Sequence, residues 1–229
     1  FNINEKIIEY VIDDNSILSK LKIDEFIDEV SRETPTPGGG SVAALVGSLG
    51  AALSSMVSNL TINKKGYEKF SKMHQMKSIE CQRYKDNLLK YIDKDTNAYN
   101  DVINAMRLPK KTESQIQFRN KQIYIANINA AQIPLEILKQ CKLLIQETAS
   151  ICKNCNLNSI SDIAVANDLI YASAKGASYN VIINLSSATK KDRDKYKNSV
   201  EYYIKQIEDS HLNISMLIKH TRGYLLSKM

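Results

Sequence analysis

The sequence contains no tryptophan, and only four prolines and eight glycines in 229 residues. That leaves little material for turns and points to long helices. Strand-like alternation of apolar and polar residues is equally scarce. Cysteine is sparse too, at positions 81, 141, 152 and 155. Cys152 and Cys155 form a lone C-x-x-C. A structural zinc site would need a second such pair or a His pair at matching spacing, and neither is present. A thioredoxin-type motif would need a preceding strand, where this context is helical. Unpaired thiols in a reducing compartment are therefore expected. The stretch "FNINEKIIEYVIDD" carries early acidic residues and no apolar core, so no signal peptide and a cytoplasmic location are expected. Long basic runs are missing as well. Lysine pairs occur at Lys64-Lys65, Lys110-Lys111 and Lys190-Lys191, within a net charge of +6. A basic balance of this size attracts anions generally. Nucleic-acid binding has charge alone behind it and no motif.

Apolar residues recur at spacings of three and four along nearly the whole chain. Ile3, Ile7, Ile8, Val11 and Ile12 predict a short first helix. Leu21, Phe26, Ile27 and Val30 predict a second, ended by the prolines at 35 and 37. A third runs from Gly40 to about Asn63. A long polar helix follows over 67–106, and the next over 112–153 with an interruption or kink at Pro134. Ser159-Ile-Ser-Asp162 has the pattern of a capping box and opens a helix to Leu185. The last spans 191–226. The expected architecture is all-α: one domain over 1–229, an antiparallel bundle of six to eight helices, several of them long.

The stretch "TPTPGGGSVAALVGSLGAALSSMVSNLT", residues 34–61, carries no charge. It is long enough to span a bilayer, but its glycines and serines dilute it, and no second span accompanies it; no membrane association is expected. A Walker phosphate loop needs G-x-x-x-x-G-K-[ST] after a strand, and the lysine is absent. Two readings stay open. Small residues at three and four let neighbouring backbones approach, with Leu45, Leu49, Leu53, Met56 and Leu60 filling the core. Alternatively, the glycine-rich turn presents free N–H groups at the positive end of a helix dipole, where a ligand can bind.

The stretch "DEFIDEVSRETPTPGGGSVAALVGSLGAALSSMV" resembles the start of the cyclodeaminase/cyclohydrolase family of folate enzymes. Three further stretches match that family in order: "DKDTNAYNDVINAMRLPK" (93–110), "AAQIPLEIL" (130–138) and "NLNSISDIAVANDLIYASAKGASYNVIINL" (156–185). The resemblance spans about 24–190. It implies an all-helical fold that dimerises by helix packing, and a tetrahydrofolate substrate carrying a one-carbon unit between N5 and N10. Family cyclodeaminases close 5-formiminotetrahydrofolate to 5,10-methenyltetrahydrofolate and release ammonia; family cyclohydrolases open the methenyl ring with water to 10-formyltetrahydrofolate. "EKIIEYVI" resembles the connector before the cyclodeaminase half of fused proteins, which favours cyclodeamination, with a formiminotransferase as a possible separate partner. No cofactor or metal is expected beyond the folate itself. A non-catalytic folate-binding or scaffolding protein is the alternative of another class.

Cyclisation needs one group to take the N10 proton and another to protonate the departing nitrogen. His74, His211 and His220 lie outside the matched blocks, so carboxylates are the better candidates. Asp162 and Asp95 are the catalytic candidates; each also has a plain reading, a helix cap for Asp162 and a solvated acidic face for Asp95. Tyr99 lies one turn after Asp95. Asn180 and Asn184 share a helical face, and their amides suit a pterin edge or helix–helix contact. Arg107 and Lys110 can meet the glutamate tail of a folate, including a polyglutamylated one, or be ordinary surface charge. Gly38, Gly39, Gly40 and Ser41 are expected against the ligand.

Overall fold

The computed structural model describes residues 17–226; the expected helix over Ile3–Ile12 and the connector-like "EKIIEYVI" lie outside them. Within the described residues six α-helices form: α1 (Ile23–Ser31), α2 (Gly39–Thr61), α3 (Ser71–Met106), α4 (Glu113–Cys152), α5 (Ile160–Asn184) and α6 (Lys190–Leu226). Three short 3₁₀ turns precede α1, α3 and α5. The fold is all-α, and four helices exceed twice the usual length of about 11–12 residues.

Cross-helix contacts fix the directions. Ser41 meets Ile92 and Asp95, while Ser55 meets Ser78, so α2 and α3 are antiparallel. Ser173 bonds to Ala43, and Ser54 to Thr148. Asn184 reaches Ala130, while Cys141 meets Ser173, so α4 and α5 are antiparallel as well. Helices α2 to α5 thus make an up-down-up-down bundle. Helix α6 packs along α4 and α5, antiparallel to α5 through Tyr171–Glu208 and Asn167–His211.

α2 is the packing solution that its composition dictates, with one reversal. Its small residues face inward: Ala44, Ala51, Ser54, Ser55 and Ser58 are all fully buried. A Cβ at Gly47 would stand 2.6 Å from the Ser173 hydroxyl, and one at Gly50 2.7 Å from Ile170. Only glycine permits α5 to come this close. The large residues expected in the core lie outside instead. Leu49 and Leu60 are about half exposed, Met56 is exposed and Leu45 and Leu53 are half-buried. The close approach of α3 and α5 leaves no room for leucine between them, so the core is filled from α3, α4 and α5 by Leu88, Ile137, Leu138, Leu144 and Ile170. Although α2 is long and apolar enough to cross a membrane by length and composition, most of it is buried against its neighbours.

Pro134 does not interrupt α4, which runs unbroken through it. Proline has no N–H to give the carbonyl four residues back. That carbonyl belongs to Ala130, and the Asn184 amide of α5 donates to it at 2.9 Å. The neighbouring helix thus supplies the bond the proline removes.

Candidate active site

The N-terminus of α2 starts abruptly. Gly38 is its N-cap and has no side chain to cap with. The first intrahelical bond is Val42 N–H to Gly38 C=O. The N–H groups of Gly38, Gly39, Gly40 and Ser41 precede that point; that of Ser41 turns to the Asp95 carboxyl, and those of the three glycines have no backbone acceptor among the described residues. They sit at the positive end of a 23-residue helix.

Asp95 of α3 lies against this terminus. A Cβ on Gly40 would collide with its carboxylate, so glycine is required there for the carboxyl to approach the backbone. The Ser41 hydroxyl donates to Asp95 Oδ2 at 3.1 Å and lies 3.0 Å from the Ile92 carbonyl. Burial pushes the Asp95 carboxyl above the ordinary carboxylate range, against the opposing pull of its hydrogen bonds with Ser41. The same contacts serve both protonation states. The ionised carboxylate accepts from Ser41; the protonated one donates to Ser41, which turns its own hydrogen to Ile92.

A cleft of about 350 Å³ opens over this pair. Gly38, Gly39, Gly40, Asp95 and Tyr99 form one wall, and Asn127, Asn180 and Asn184 stand on α4 and α5. The volume falls within the usual range for small-molecule sites. A second cleft of about 530 Å³ shares Pro35, Thr36 and Tyr99 with the first and carries Arg32 and Arg107. The first cleft thus presents hydrogen-bonding groups, and its neighbour two arginines, one of them paired with Glu29 on the same lining.

Most of the residues named from the sequence meet here: Asp95, Tyr99, Gly38, Gly39, Gly40, Asn180 and Asn184 line the first cleft, Ser41 supports Asp95, and Arg107 lines the second. Two do not join them. Lys110 is exposed beyond the end of α3 and lines neither cleft. Asp162 sits in the first turn of α5. It is eighteen residues from Asn180, about 27 Å along the helix axis. The expected capping box does not close either, since Ser159, the N-cap, makes no side-chain cap bond. Asp162 is an acidic residue at a helix N-terminus, placed where it favours the helix dipole.

Asn127 was missed. It lies in "IANINAAQIP", an apolar stretch with another asparagine two residues on, and nothing local marks it. Arg32 was missed similarly, as a surface charge after α1, where it pairs with Glu29 at 2.9 Å.

The other titratable groups lie elsewhere. His74 is fully buried between Ser58 and the Asn154 carbonyl, and burial pulls its imidazole below its ordinary range. His211 stacks on Tyr171 at 4.5 Å, and His220 is exposed. All four cysteines are free and buried, and burial pushes Cys81, Cys141 and Cys155 to about 12. Such thiols are inert at neutral pH. Among the described residues no three His, Cys, Asp or Glu side chains gather as a metal site would require.

Residues 22–204 match the family described as formiminotransferase-cyclodeaminase. The chain belongs to that family. Among relatives, the methenyltetrahydrofolate cyclohydrolase of Methylorubrum extorquens is 36% identical over 162 residues, covering 71% of this chain and 78% of that protein. The formimidoyltransferase-cyclodeaminase of Gallus gallus is 28% identical over 222 residues, covering 95% of this chain but 40% of its own length. The chain therefore spans well under half of that relative. The crystal structure of formiminotetrahydrofolate cyclodeaminase from Thermotoga maritima superposes with a TM-score of 0.80 at 28% identity, covering 89% of this chain and 98% of that one. The formiminotransferase-cyclodeaminase family match takes in every element from α1 to the first half of α6, and with them every cleft residue named above.

Proposed function

We propose that this chain is a one-carbon folate enzyme that cyclises 5-formiminotetrahydrofolate to 5,10-methenyltetrahydrofolate and releases ammonia. The observation that carries the reading is Asp95: a carboxyl raised by burial, held by Ser41 at the open N-terminus of α2, facing a cleft of ligand size. The reaction needs such a group. N10 attacks the carbon of the formimino group, whose nitrogen enters protonated from solvent, giving a tetrahedral carbon bonded to N5, N10 and an amine. The N10 proton passes to the Asp95 carboxylate. Protonated Asp95 then returns it to the amine, which leaves as ammonia while the N5 lone pair closes the methenyl cation. A carboxyl whose hold on its proton is strengthened by burial can take the proton and return it. Gly38 to Ser41 place helix N–H groups beside the site. Arg107, with Arg32, supports the tail carboxylate of the folate in the second cleft.

Hydrolysis of the methenyl ring is the second reading, and the 36% identity to a methenyltetrahydrofolate cyclohydrolase favours it. There Asp95 would take a proton from water as it adds to the methenyl carbon. It would then give that proton to N5 as the N5–C bond breaks, while the hydroxyl proton is lost to solvent as the formyl C=O forms, leaving 10-formyltetrahydrofolate. Both reactions are tested by one pair of assays. Purified chain is mixed with 5-formiminotetrahydrofolate and methenyl absorbance is followed; methenyltetrahydrofolate is then followed in the hydrolytic direction. Acceleration of the first selects cyclodeamination, and acceleration of the second alone selects hydrolysis. No acceleration of either overturns the enzymatic reading.

We further propose that two copies pair through the outer face of α2. Leu49, Leu53, Met56 and Leu60 recur at four, three and four, the spacing of a helix-pairing seam. The helix carries no charge along its 23 residues to oppose it. Sedimentation of the wild-type chain should give the mass of a dimer, and Leu49→Asp should give half of it.

A further inference from the structure

Ser41 belongs to the site without touching its cleft. It is fully buried and lines neither cleft, so the ligand meets Asp95 rather than the serine. It stands at the N3 position of α2, whose backbone N–H an N-cap side chain normally accepts. Gly38 has no side chain to do so. The Asp95 carboxyl of α3 takes that place. The N–H of Ser41 turns to it, and the Ser41 hydroxyl donates to Oδ2 at 3.1 Å. One residue thus grips the carboxyl with two hydrogens, one fixed by the helix and one free to rotate. The other oxygen is treated differently. Among the described residues no side chain donates to Oδ1, and Oδ1 is not a buried atom without a partner. It is left to the cleft that Asp95 lines.

We infer that Ser41 is the positioning residue of this site, holding the Asp95 carboxyl by its hydroxyl and its N–H so that the open oxygen can exchange a proton with the ligand. The inference rests on the folate reading above for its kinetic consequence, and on the helix geometry alone for its structural one. No charged group shares the task. Asp95 is the one carboxyl lining the first cleft among the described residues, and Tyr99 of the same helix is the other titratable group there. α2 carries no charged side chain, and α4 and α5 bring amides and apolar side chains to the cleft. Asp93 is bonded to Ser19, Lys94 lies over the Tyr91 ring, and Arg32 and Arg107 line the second cleft. Burial raises the Asp95 carboxyl, and the two hydrogens of Ser41 are what oppose it. Without them the carboxyl keeps its proton to higher pH. The ionised form, which takes the proton in the reaction, is then scarcer at acid pH.

The test is a pH titration of the full chain by NMR, with the aspartate carboxyl carbons labelled and the Asp95 signal assigned by its loss in Asp95→Asn. It needs no ligand. In the wild-type chain the Ser41 amide resonance should move with the same midpoint as the Asp95 carbon. An amide that stays still while Asp95 titrates overturns the inference, whether or not any variant folds. In Ser41→Ala the Asp95 midpoint should move to higher pH, and in Ser41→Cys, which keeps a weak donor, it should move less. A midpoint unmoved in both folded variants overturns the inference too. Kinetics add a second readout, with whichever folate substrate the assays above select. The acid limb of the kcat/KM profile of Ser41→Ala should follow the shifted midpoint, with about a tenfold loss on that limb and the plateau at higher pH retained. A serine that merely packs would lower the whole profile evenly, and that result overturns the inference as well. If neither folate reaction is accelerated, the folate reading fails, and the titration still decides the role of Ser41.

Discussion

The two ends of α2 are built from similar residues and put to opposite use. At its C-terminal end the buried side-chain hydroxyls are answered within the protein. Thr61 Oγ1 accepts from Asn156 N–H, Ser58 meets His74, and His74 meets the Asn154 carbonyl. At its N-terminal end the polar groups are held on one side and left open on the other: three glycine N–H groups, three amide oxygens and a carboxyl. Buried polar groups are normally paired. The closed end obeys that rule and holds the bundle together; the open end departs from it in one place, and that place is the cleft. Along α2, polarity left open to the cleft, rather than polarity as such, separates the site from the scaffold.

Substitutions at the two ends should therefore fail differently. The largest effect is expected for Asp95→Asn, which should cost turnover about 10²–10⁴-fold while the melting temperature at neutral pH holds or rises. The sign follows from the raised carboxyl: the protonated form is preferred in the folded chain, so its contribution is full at acid pH and is lost as pH rises through the folded value. An amide removes that loss. Melting curves with and without the substitution, run from acid to neutral pH, should diverge upward with pH. Gly40→Ala comes next, driving a methyl into the Asp95 carboxyl, with loss of activity and a stability cost of about 1–3 kcal/mol by denaturant titration.

At the closed end, Thr61→Val removes the acceptor of a buried N–H. It should cost about 1–3 kcal/mol of stability with turnover per folded molecule unchanged; a drop in turnover would erase the distinction between the ends. His74 gives the corresponding acid signature. Its imidazole is pulled down by burial, so its contribution is present above the ordinary imidazole range and lost as pH falls below it. His74→Gln should flatten that part of the stability profile. Asp162→Asn should do least, about 0.3–1 kcal/mol at a helix N-terminus, with activity intact.

The sequence made the open end partly visible. A charge-free helix entered through three glycines, and a carboxylate in a matched acidic block, are local signals, and both sit at the cleft. Helix spans were legible for the same reason, since periodicity and proline are local. What escaped depends on pairing between distant elements. Asn127 becomes a cleft residue only when α4 lies against α5 in the observed register. The large residues of α2 point outward because two neighbours approach closely, which no stretch of α2 reports. Asp162 was misplaced because a short pattern near a helix start says nothing of which end of the bundle that start occupies.

Pro134 and Asn184 carry a consequence for how this chain can change. Each residue is the reason for the other. Exchange the proline alone, and α4 recovers its own bond to Ala130, whose second lone pair can still hold Asn184; exchange the asparagine alone, and a carbonyl is stranded between two helices. The two positions are 50 apart in the chain and form a single heritable unit. A variant altered at both should stand closer to the wild-type fold than either single change predicts. A path of single substitutions that begins with the asparagine must first descend.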